Sequence, residues 1–315
     1  MMFFIPDDVK SPVWIENPEQ AEFFIAIAKK RGHSFVMLGV MIHDKPMVFS
    51  RVGKICLPEK KGLFGEVLNL NVEISYEAYA ITYEHYLRFL DLIANILPSG
   101  KKIHAYQREP NSNMFVYSKI NDARSKSTDV SEEEKKILSH ERCSIILSTC
   151  RNMAIKLLEY VLSNREQTDK TSRLFFRDLP SKICFEEGRT HQYFYVRPNP
   201  PTAYCASKDS VKYKRLSKIY QRMEHLISKD EQNPNTKTKF DALKKLYVEQ
   251  AGIADISIDV ALQSVLQWHE DHRNIISELR KPSFFTTYFG LKSSTESMSL
   301  ELEDELLHLN NACKG

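Results

Sequence analysis

The sequence predicts an α+β protein with a mixed α/β domain, containing a small, mainly antiparallel sheet, followed by an all-helical bundle. In the first part of the chain, short runs of β-branched and aromatic residues alternate with turn residues. Beyond Ala206 the apolar residues recur three and four positions apart, the spacing of an amphipathic helix. Between the two patterns stand Pro198, Pro200 and Pro201, and clustered prolines end regular structure.

These patterns predict three regions. We expect an α/β domain over residues 1–205, a helical bundle over 206–295 and an acidic C-terminal helix over 296–315. The composition is that of a globular protein, with 42% hydrophobic and 27% charged residues. The net charge of +3 is too small to indicate nucleic-acid binding, so we expect no nucleic-acid partner.

The N-terminal elements follow from local signals. Asn17 to Arg31 is predicted as a helix because Asn-Pro begins it, three basic residues end it and glycine follows. His33 to Val40 and Met47 to Val52 flank a turn and predict a β-hairpin. Val67 to Ile74 is a third strand, and Thr82 to Leu97 has the apolar face of a helix.

The later elements are predicted in the same way. Ile103 to Gln107 and Met114 to Tyr117 are short strands, and a helix from Cys150 to Leu162 can be capped by Ser148 or Thr149. In the C-terminal part, apolar spacing predicts four helices: Asp209–Ser228, Lys237–Gln250, Ile258–Arg280 and Glu296–Leu309.

The cysteines indicate free thiols rather than a disulfide framework. None of the six belongs to a C-x-x-C pair, which is typical of a protein from a reducing compartment. We therefore expect no zinc site and no cofactor. The six are Cys56, Cys143, Cys150, Cys184, Cys205 and Cys313.

Cys150 is the first candidate for chemistry, because a helix is predicted to begin there and its N-terminal N–H groups would stabilise a thiolate. His33, at the start of the predicted hairpin, is the base that we pair with it. Asp44, Glu73 or Asn152 could orient the imidazole, and the sequence does not choose among them. The alternative is structural, because a cysteine beside an apolar helical face is often a small buried hydrophobe.

Three further patterns allow other hypotheses. His269-Glu270-Asp271-His272 has histidines three apart, which is not the zincin spacing, and we expect a solvated helix face without metal. A run of basic residues could meet the phosphates of an anionic membrane or form an ordinary solvated helix surface. The run consists of Lys208, Lys212, Lys214, Arg215, Lys218 and Arg222. An aromatic stretch could contact a membrane or pack on the bundle; it consists of Phe284, Phe285, Tyr288 and Phe289.

Several short motifs resemble effector proteins that Legionella delivers into host cells through its type IV (Dot/Icm) secretion system. They are spread over most of residues 30–290 and are Gly32-His33, Thr82–Tyr86, Ser148–Arg151, Leu174–Pro180, Phe194–Val196 and Trp268–Phe289. The acidic C-terminal helix looks like the glutamate-rich secretion signal of such effectors. Its acidic residues are Glu296, Glu301, Glu303, Asp304 and Glu305.

The resemblance implies a protein that is secreted by a bacterium and works in the host cytoplasm, with the secretion machinery contacting its C-terminus. It implies no particular reaction. The first half also loosely resembles permuted papain-like cysteine hydrolases, in which the histidine precedes the cysteine. That likeness implies a hydrolase acting on a host protein or a ubiquitin-type conjugate, with Cys150 as nucleophile and His33 as base. The alternative is a non-catalytic effector that binds a host protein or a membrane.

Overall fold

The structure is a computed structural model, and it confirms the α+β class. The chain divides into two compact units, Met1–Val196 and Arg197–Gly315. We expected the division at residue 205, but the proline-rich segment belongs to the second unit, where the Tyr247 hydroxyl donates a hydrogen bond to the Asn199 carbonyl at 2.7 Å. The described residues are 11–57, 60–65, 73–96, 103–120, 149–162, 171–174, 176–186, 188–278 and 292–312.

A seven-stranded sheet forms the centre of the first unit, so the prediction of a small sheet is wrong. Its strands are β2 (Phe23–Lys30), β3 (His33–Ile42), β4 (Lys45–Leu57), β5 (Lys60–Gly65), β6 (Glu73–Ile81), β9 (Ser181–Cys184) and β10 (Val196–Arg197). The order is β10-β6-β2-β3-β4-β5, with β9 also beside β6. Neighbours from β6 to β5 pair antiparallel, as does β9 with β6.

Two helices and a second sheet pack on one face of this sheet. The helices are α1 (Tyr83–Ile96) and α2 (Cys150–Leu162), and the three-stranded sheet has the order β1 (Val13–Trp14), β8 (Met114–Lys119), β7 (His104–Arg108). Together they bury a large core that includes Val36, Leu38 and Val40 of β3. On the opposite face, Phe35 and Met37 join a smaller core.

The predicted helix over Asn17–Arg31 is wrong. Phe23 to Lys30 forms β2, in the interior of the sheet between β3 and β6. Six of its residues are fully inaccessible because the strand is covered on both faces, and a continuous apolar run of this kind carries no period that separates strand from helix. The Asn-Pro start produces only a turn, in which the Ala21 N–H donates to the Asn17 carbonyl at 3.0 Å.

The hairpin, α1, β7, β8 and α2 agree with prediction, whereas β1, β5, β9 and most of β6 were not predicted. The hairpin of β3 and β4 is present, and His43 and Asp44 at its turn have φ of 49° and 60°. Positive φ at both central residues is the geometry of a type I′ turn, which suits the twist of antiparallel strands. Most of the predicted strand Val67–Ile74 lies outside the described residues.

The second unit is helical, as predicted. It contains α3 (Val211–Lys229), α4 (Pro234–Gly252), α5 (Ile258–Ser277) and α6 (Ser294–Ala312), preceded by a short 3₁₀ turn at Pro201–Ala203. Ser210 caps α3 by accepting the Tyr213 N–H at 3.1 Å, and Asn233 caps α4 with Pro234 in the first helical position. Within the described residues, no helix is long and apolar enough to span a bilayer.

The acidic helix α6 is an integral part of the second unit. Met298, Leu302 and Leu306 are buried on one of its faces. Lys218 of α3 forms ion pairs with Glu301 at 3.3 Å and Glu305 at 2.7 Å. Deleting this helix would expose the apolar residues that it covers, so its acidic residues can be tested only by substitution.

Gly39 provides a test of the sheet packing. It lies at a register shift in β3, and a Cβ at this position would collide with the Met47 carbonyl and come within 2.7 Å of the Phe24 ring. We expect Gly39→Ala to lower the free energy of unfolding by about 2 kcal/mol, because backbone and a fully buried ring must both move. Gly32→Ala is the control, since its Cβ would meet no atom within 4 Å. Equal midpoints in urea unfolding for the two variants would contradict this packing.

Candidate active site

The candidate site is built on the first turn of α2. Thr149 caps the helix, since its Oγ1 accepts the Asn152 N–H at 3.1 Å and its carbonyl accepts the Met153 N–H at 3.0 Å. Of the two predicted caps, Thr149 is therefore used, and Ser148 lies outside the described residues. Cys150 is the first residue of the helix, as predicted. The positive end of the helix dipole consequently acts on its side chain.

Three groups converge on the Cys150 sulfur. The backbone N–H of Ser34 donates a hydrogen bond to Sγ at 3.2 Å. The His33 side chain and the backbone N–H of Arg151 also act as hydrogen-bond partners of the sulfur. Cys150 is half-buried. The structure thus brings together the two residues, Cys150 and His33, that the sequence singled out.

These contacts favour the thiolate. Burial alone would raise the pKa of the Cys150 thiol, but the His33 hydrogen bond, the Ser34 N–H, the His33 charge and the Arg151 N–H together bring the pKa below its ordinary value. Hydrogen bonds to the charged form of a group are a recognised cause of such a shift. A cysteine of this kind is more nucleophilic at neutral pH than an ordinary buried thiol.

Beneath the start of α2, the sheet presents a band of polar side chains. Ser34 of β3 pairs with Lys29 of β2, and Lys29 pairs with Ser75 of β6. Lys54 of β4 follows Gly53, the partner of Phe35, and therefore lies beside Ser34. All four residues are buried, as is Glu77 of β6. Their positions alternate with the apolar residues of the opposite face, so the band faces α2.

Arg151 connects α2 to this band and to a loop that follows α2 in the chain and contains Ser172 and Arg177. The guanidinium is fully buried, and each of its nitrogens donates a hydrogen bond at 2.9 Å. Nε donates to the Ser34 hydroxyl, Nη1 to the Ser172 carbonyl and Nη2 to the Arg177 carbonyl. Burying a charge is costly unless its hydrogen bonds are satisfied, and here they are satisfied by fixed acceptors.

The band also holds the loop of residues 171–179. Lys29 Nζ donates to the Asp178 carboxylate at 2.6 Å and to the Phe176 carbonyl at 2.9 Å. The Leu179 N–H donates to the Ser75 hydroxyl at 3.0 Å, and the Thr171 hydroxyl donates to Glu77 at 2.9 Å. The loop is therefore fastened through its main chain beside the residue that follows Cys150.

The three residues considered for orienting His33 lie in different places. Asp44 is in the turn at the far end of β3, about 30 Å away at the rise of a strand, so it cannot orient the imidazole. Glu73 forms an ion pair with Lys182 at 2.9 Å. Asn152 is in the first turn of α2, two residues after Cys150, and side chains two apart on a helix do not face each other.

No known protein family, curated protein or solved structure matches this chain. The assignment of the site therefore rests on its geometry.

The remaining sequence candidates do not form a site. His269 Nδ1 contacts Glu303 at 2.5 Å and Ser299 at 3.0 Å, and His272 Nδ1 contacts the Trp268 carbonyl at 2.9 Å. Both histidines thus serve packing contacts in the bundle. Among the described residues, no group of histidine, cysteine and acidic side chains could hold a metal ion.

The basic run is not a continuous exposed surface. Arg215 is buried, with 2% of its surface exposed, and Lys218 is occupied by its ion pairs with α6. Arg222 donates to the Thr295 hydroxyl at 3.1 Å and Lys212 is half-buried, which leaves Lys208 and Lys214 as its exposed members. The aromatic stretch from Phe284 to Phe289 lies outside the described residues.

Sequence patterns did not reveal the roles of Lys54, Arg151 and the residues that hold the loop. One signal was available for Lys54: it stands two positions after Val52, so strand alternation places both side chains on the same face. Arg151 carries no such signal, because its partners are carbonyls of a loop that is distant in sequence.

Replacing Arg151 tests this architecture. Arg151→Met leaves the Ser34 hydroxyl and two loop carbonyls without their buried donor, so we expect the free energy of unfolding to fall by about 3 kcal/mol. The matched control is Arg173→Met, because Arg173 is exposed and its ion pair with Glu159 is long, at 3.9 Å. That control should change stability by less than about 0.5 kcal/mol. Urea unfolding measures the stability of the two variants, and limited proteolysis within residues 172–178 measures how firmly the loop is held. Equal effects of the two substitutions would contradict the role of Arg151 in holding the loop.

Proposed function

We propose that the first unit is a cysteine hydrolase, with Cys150 as nucleophile and His33 as general base. The single observation that supports this is the convergence on one half-buried sulfur of the His33 imidazole and of two backbone N–H groups. A structural cysteine needs neither a base nor donors directed at its sulfur. Nucleophile and base within hydrogen-bonding reach are the common feature of covalent acyl-transfer sites.

The proposed reaction has two steps. The Cys150 thiolate attacks an acyl carbon, and His33, protonated as the thiolate forms, gives its proton to the leaving amine as the C–N bond breaks. Water then attacks the resulting thioester; His33 takes a proton from this water, and the C–S bond breaks to release the acid and regenerate the thiolate. In both steps, N–H groups at the start of α2 can stabilise the oxyanion that develops.

The substrate class in this proposal is an amide or isopeptide bond of a host protein, including ubiquitin-type conjugates. It is supported by the loose resemblance of the first half to permuted papain-like hydrolases. The alternative, a non-catalytic effector that binds a host protein or an anionic membrane, has less support because half of the basic run (Arg215, Lys218 and Arg222) is buried or occupied.

Labelling by acyl-directed thiol probes tests the enzymatic proposal. We expect an electrophilic peptide probe, or ubiquitin with a C-terminal electrophile, to modify Cys150 selectively over the five other cysteines. Cys150→Ser should abolish labelling, and His33→Gln should slow it by about 100-fold, the usual contribution of a general base. Peptide mass spectrometry identifies the modified residue. Cys184→Ser is the control and should label like the wild type. Uniform slow labelling of all cysteines would end the proposal.

We also propose that the secretion machinery recognises α6, as the resemblance of this helix to glutamate-rich secretion signals implies. The substitutions Glu301→Gln, Asp304→Asn and Glu305→Gln remove the two ion pairs with Lys218 but change no residue of the buried apolar face of α6. We expect the triple variant to lose most translocation of a reporter fusion.

The control for delivery removes equal charge from exposed sites on other helices of the same unit. It carries Glu249→Gln, Asp259→Asn and Glu270→Gln. Translocation of this control should match the wild type, and equal translocation of both triple variants would refute the signal.

A further inference from the structure

Two large apolar side chains are exposed on the loop of residues 171–179. Leu174 is 45% exposed and Phe176 is 62% exposed. Single apolar residues are common on protein surfaces, but two of them on one short loop beside a reactive group indicate contact with a ligand. The hydrolase proposal gives neither residue a role.

A chain of hydrogen bonds places this loop close to the Cys150 sulfur. The sulfur accepts the Ser34 N–H at 3.2 Å, and the Ser34 hydroxyl accepts from Arg151 Nε at 2.9 Å. The same guanidinium donates to the Ser172 and Arg177 carbonyls at 2.9 Å. Along this path both carbonyls lie within about 15 Å of the sulfur, a span that an extended peptide covers with about four residues.

The loop presents the two side chains on a fixed main chain. The Arg177 N–H donates to the Leu174 carbonyl at 3.1 Å, which closes a turn, and the Leu174 N–H donates to the Ser172 hydroxyl at 3.4 Å. Lys29 holds the Phe176 carbonyl at 2.9 Å. Because the backbone is already ordered, a partner that covers the apolar side chains loses little affinity to ordering of the loop.

The charges on the loop indicate the chemistry of that partner. Arg173 and Arg177 are exposed on either side of the apolar pair, and the ion pair of Arg173 with Glu159 is long, at 3.9 Å. The acidic residue of the loop, Asp178, is already paired with Lys29 at 2.6 Å. The exposed surface is therefore apolar and basic, which is complementary to an apolar residue with an acidic neighbour.

We propose that Leu174 and Phe176 form the surface on which this hydrolase selects its substrate. The selected substrate is an extended peptide segment with a large apolar residue next to an acidic residue, within about four residues of the scissile bond. The apolar residue covers Leu174 and Phe176, and the acidic residue meets Arg173 or Arg177. This deepens the proposed function and rests on it, because the loop can select a substrate only beside a reactive sulfur.

The test compares two kinds of reagent on the full chain, with peptide mass spectrometry identifying the modified cysteine. Iodoacetamide is small and measures the reactivity of the Cys150 sulfur alone. Peptide probes carry an electrophile within the chain and a leucine or a glycine beside a glutamate, placed in turn at each of the four positions on either side. At one of these positions we expect the leucine probe to label Cys150 about tenfold faster than the glycine probe.

Substitutions on the loop should remove this selectivity and leave the sulfur reactive. In the double variant Leu174→Ser and Phe176→Ser, we expect the tenfold preference for leucine to disappear while alkylation by iodoacetamide keeps its rate. Phe176→Leu retains an apolar side chain and should retain most of the preference. Trp14→Ser is the matched control, because Trp14 is 61% exposed on β1 of the same unit, and it should label like the wild type.

The charge is tested separately. Arg177→Gln leaves the carbonyl that Arg151 holds in place, and we expect it to lower the preference for glutamate over lysine beside the leucine by about threefold. An unchanged preference in this variant and in Arg173→Gln would overturn the acidic part of the proposal.

Two failures can be distinguished. Equal labelling by leucine and glycine probes at every position, or a leucine preference that survives in the double variant, overturns the role of the loop while selective alkylation by iodoacetamide leaves the nucleophile standing. If neither iodoacetamide nor any probe modifies Cys150 faster than an unfolded cysteine, the proposed function fails and the role of the loop fails with it.

Discussion

Ser34 joins the two elements on which the candidate site depends. Its N–H donates to the Cys150 sulfur at 3.2 Å, and its hydroxyl accepts from Arg151 Nε at 2.9 Å. One residue at the start of β3 thus fixes both the first and the second residue of α2. Because His33 precedes Ser34 on the same strand, this junction also determines where the imidazole stands relative to the sulfur.

The polar band under α2 costs stability and supports function. Charged groups buried in a sheet require complete hydrogen bonding, and an apolar replacement of equal volume is often at least as stable. Here the cations Lys29 and Arg151 donate to main-chain carbonyls of the loop of residues 171–179. The arrangement fastens a loop next to the nucleophile and places positive charge around the sulfur. Preorganisation of this kind is the usual contribution of a scaffold to catalysis.

The elements that could be predicted are those with a local signal. The hairpin of β3 and β4 and the limits of α2 follow from turn residues, a capping threonine and apolar spacing. The helix predicted over Asn17–Arg31 failed because β2 is covered on both faces, and tertiary burial there overrides capping signals. The pair of Cys150 and His33 could be proposed from chain order. Arg151 could not, because its acceptors lie on a loop that only the tertiary structure brings near.

The most direct measurement of the central claim is the ionisation of Cys150 itself. Thiolates absorb near 240 nm, so the difference in absorbance between the wild type and Cys150→Ser, titrated across pH, isolates this one sulfur. The contacts of His33, Ser34 and Arg151 predict a thiolate that persists below the pH range of an ordinary cysteine thiol. A difference spectrum that develops only within or above that ordinary range would show that these contacts do not activate the sulfur, and would contradict the account.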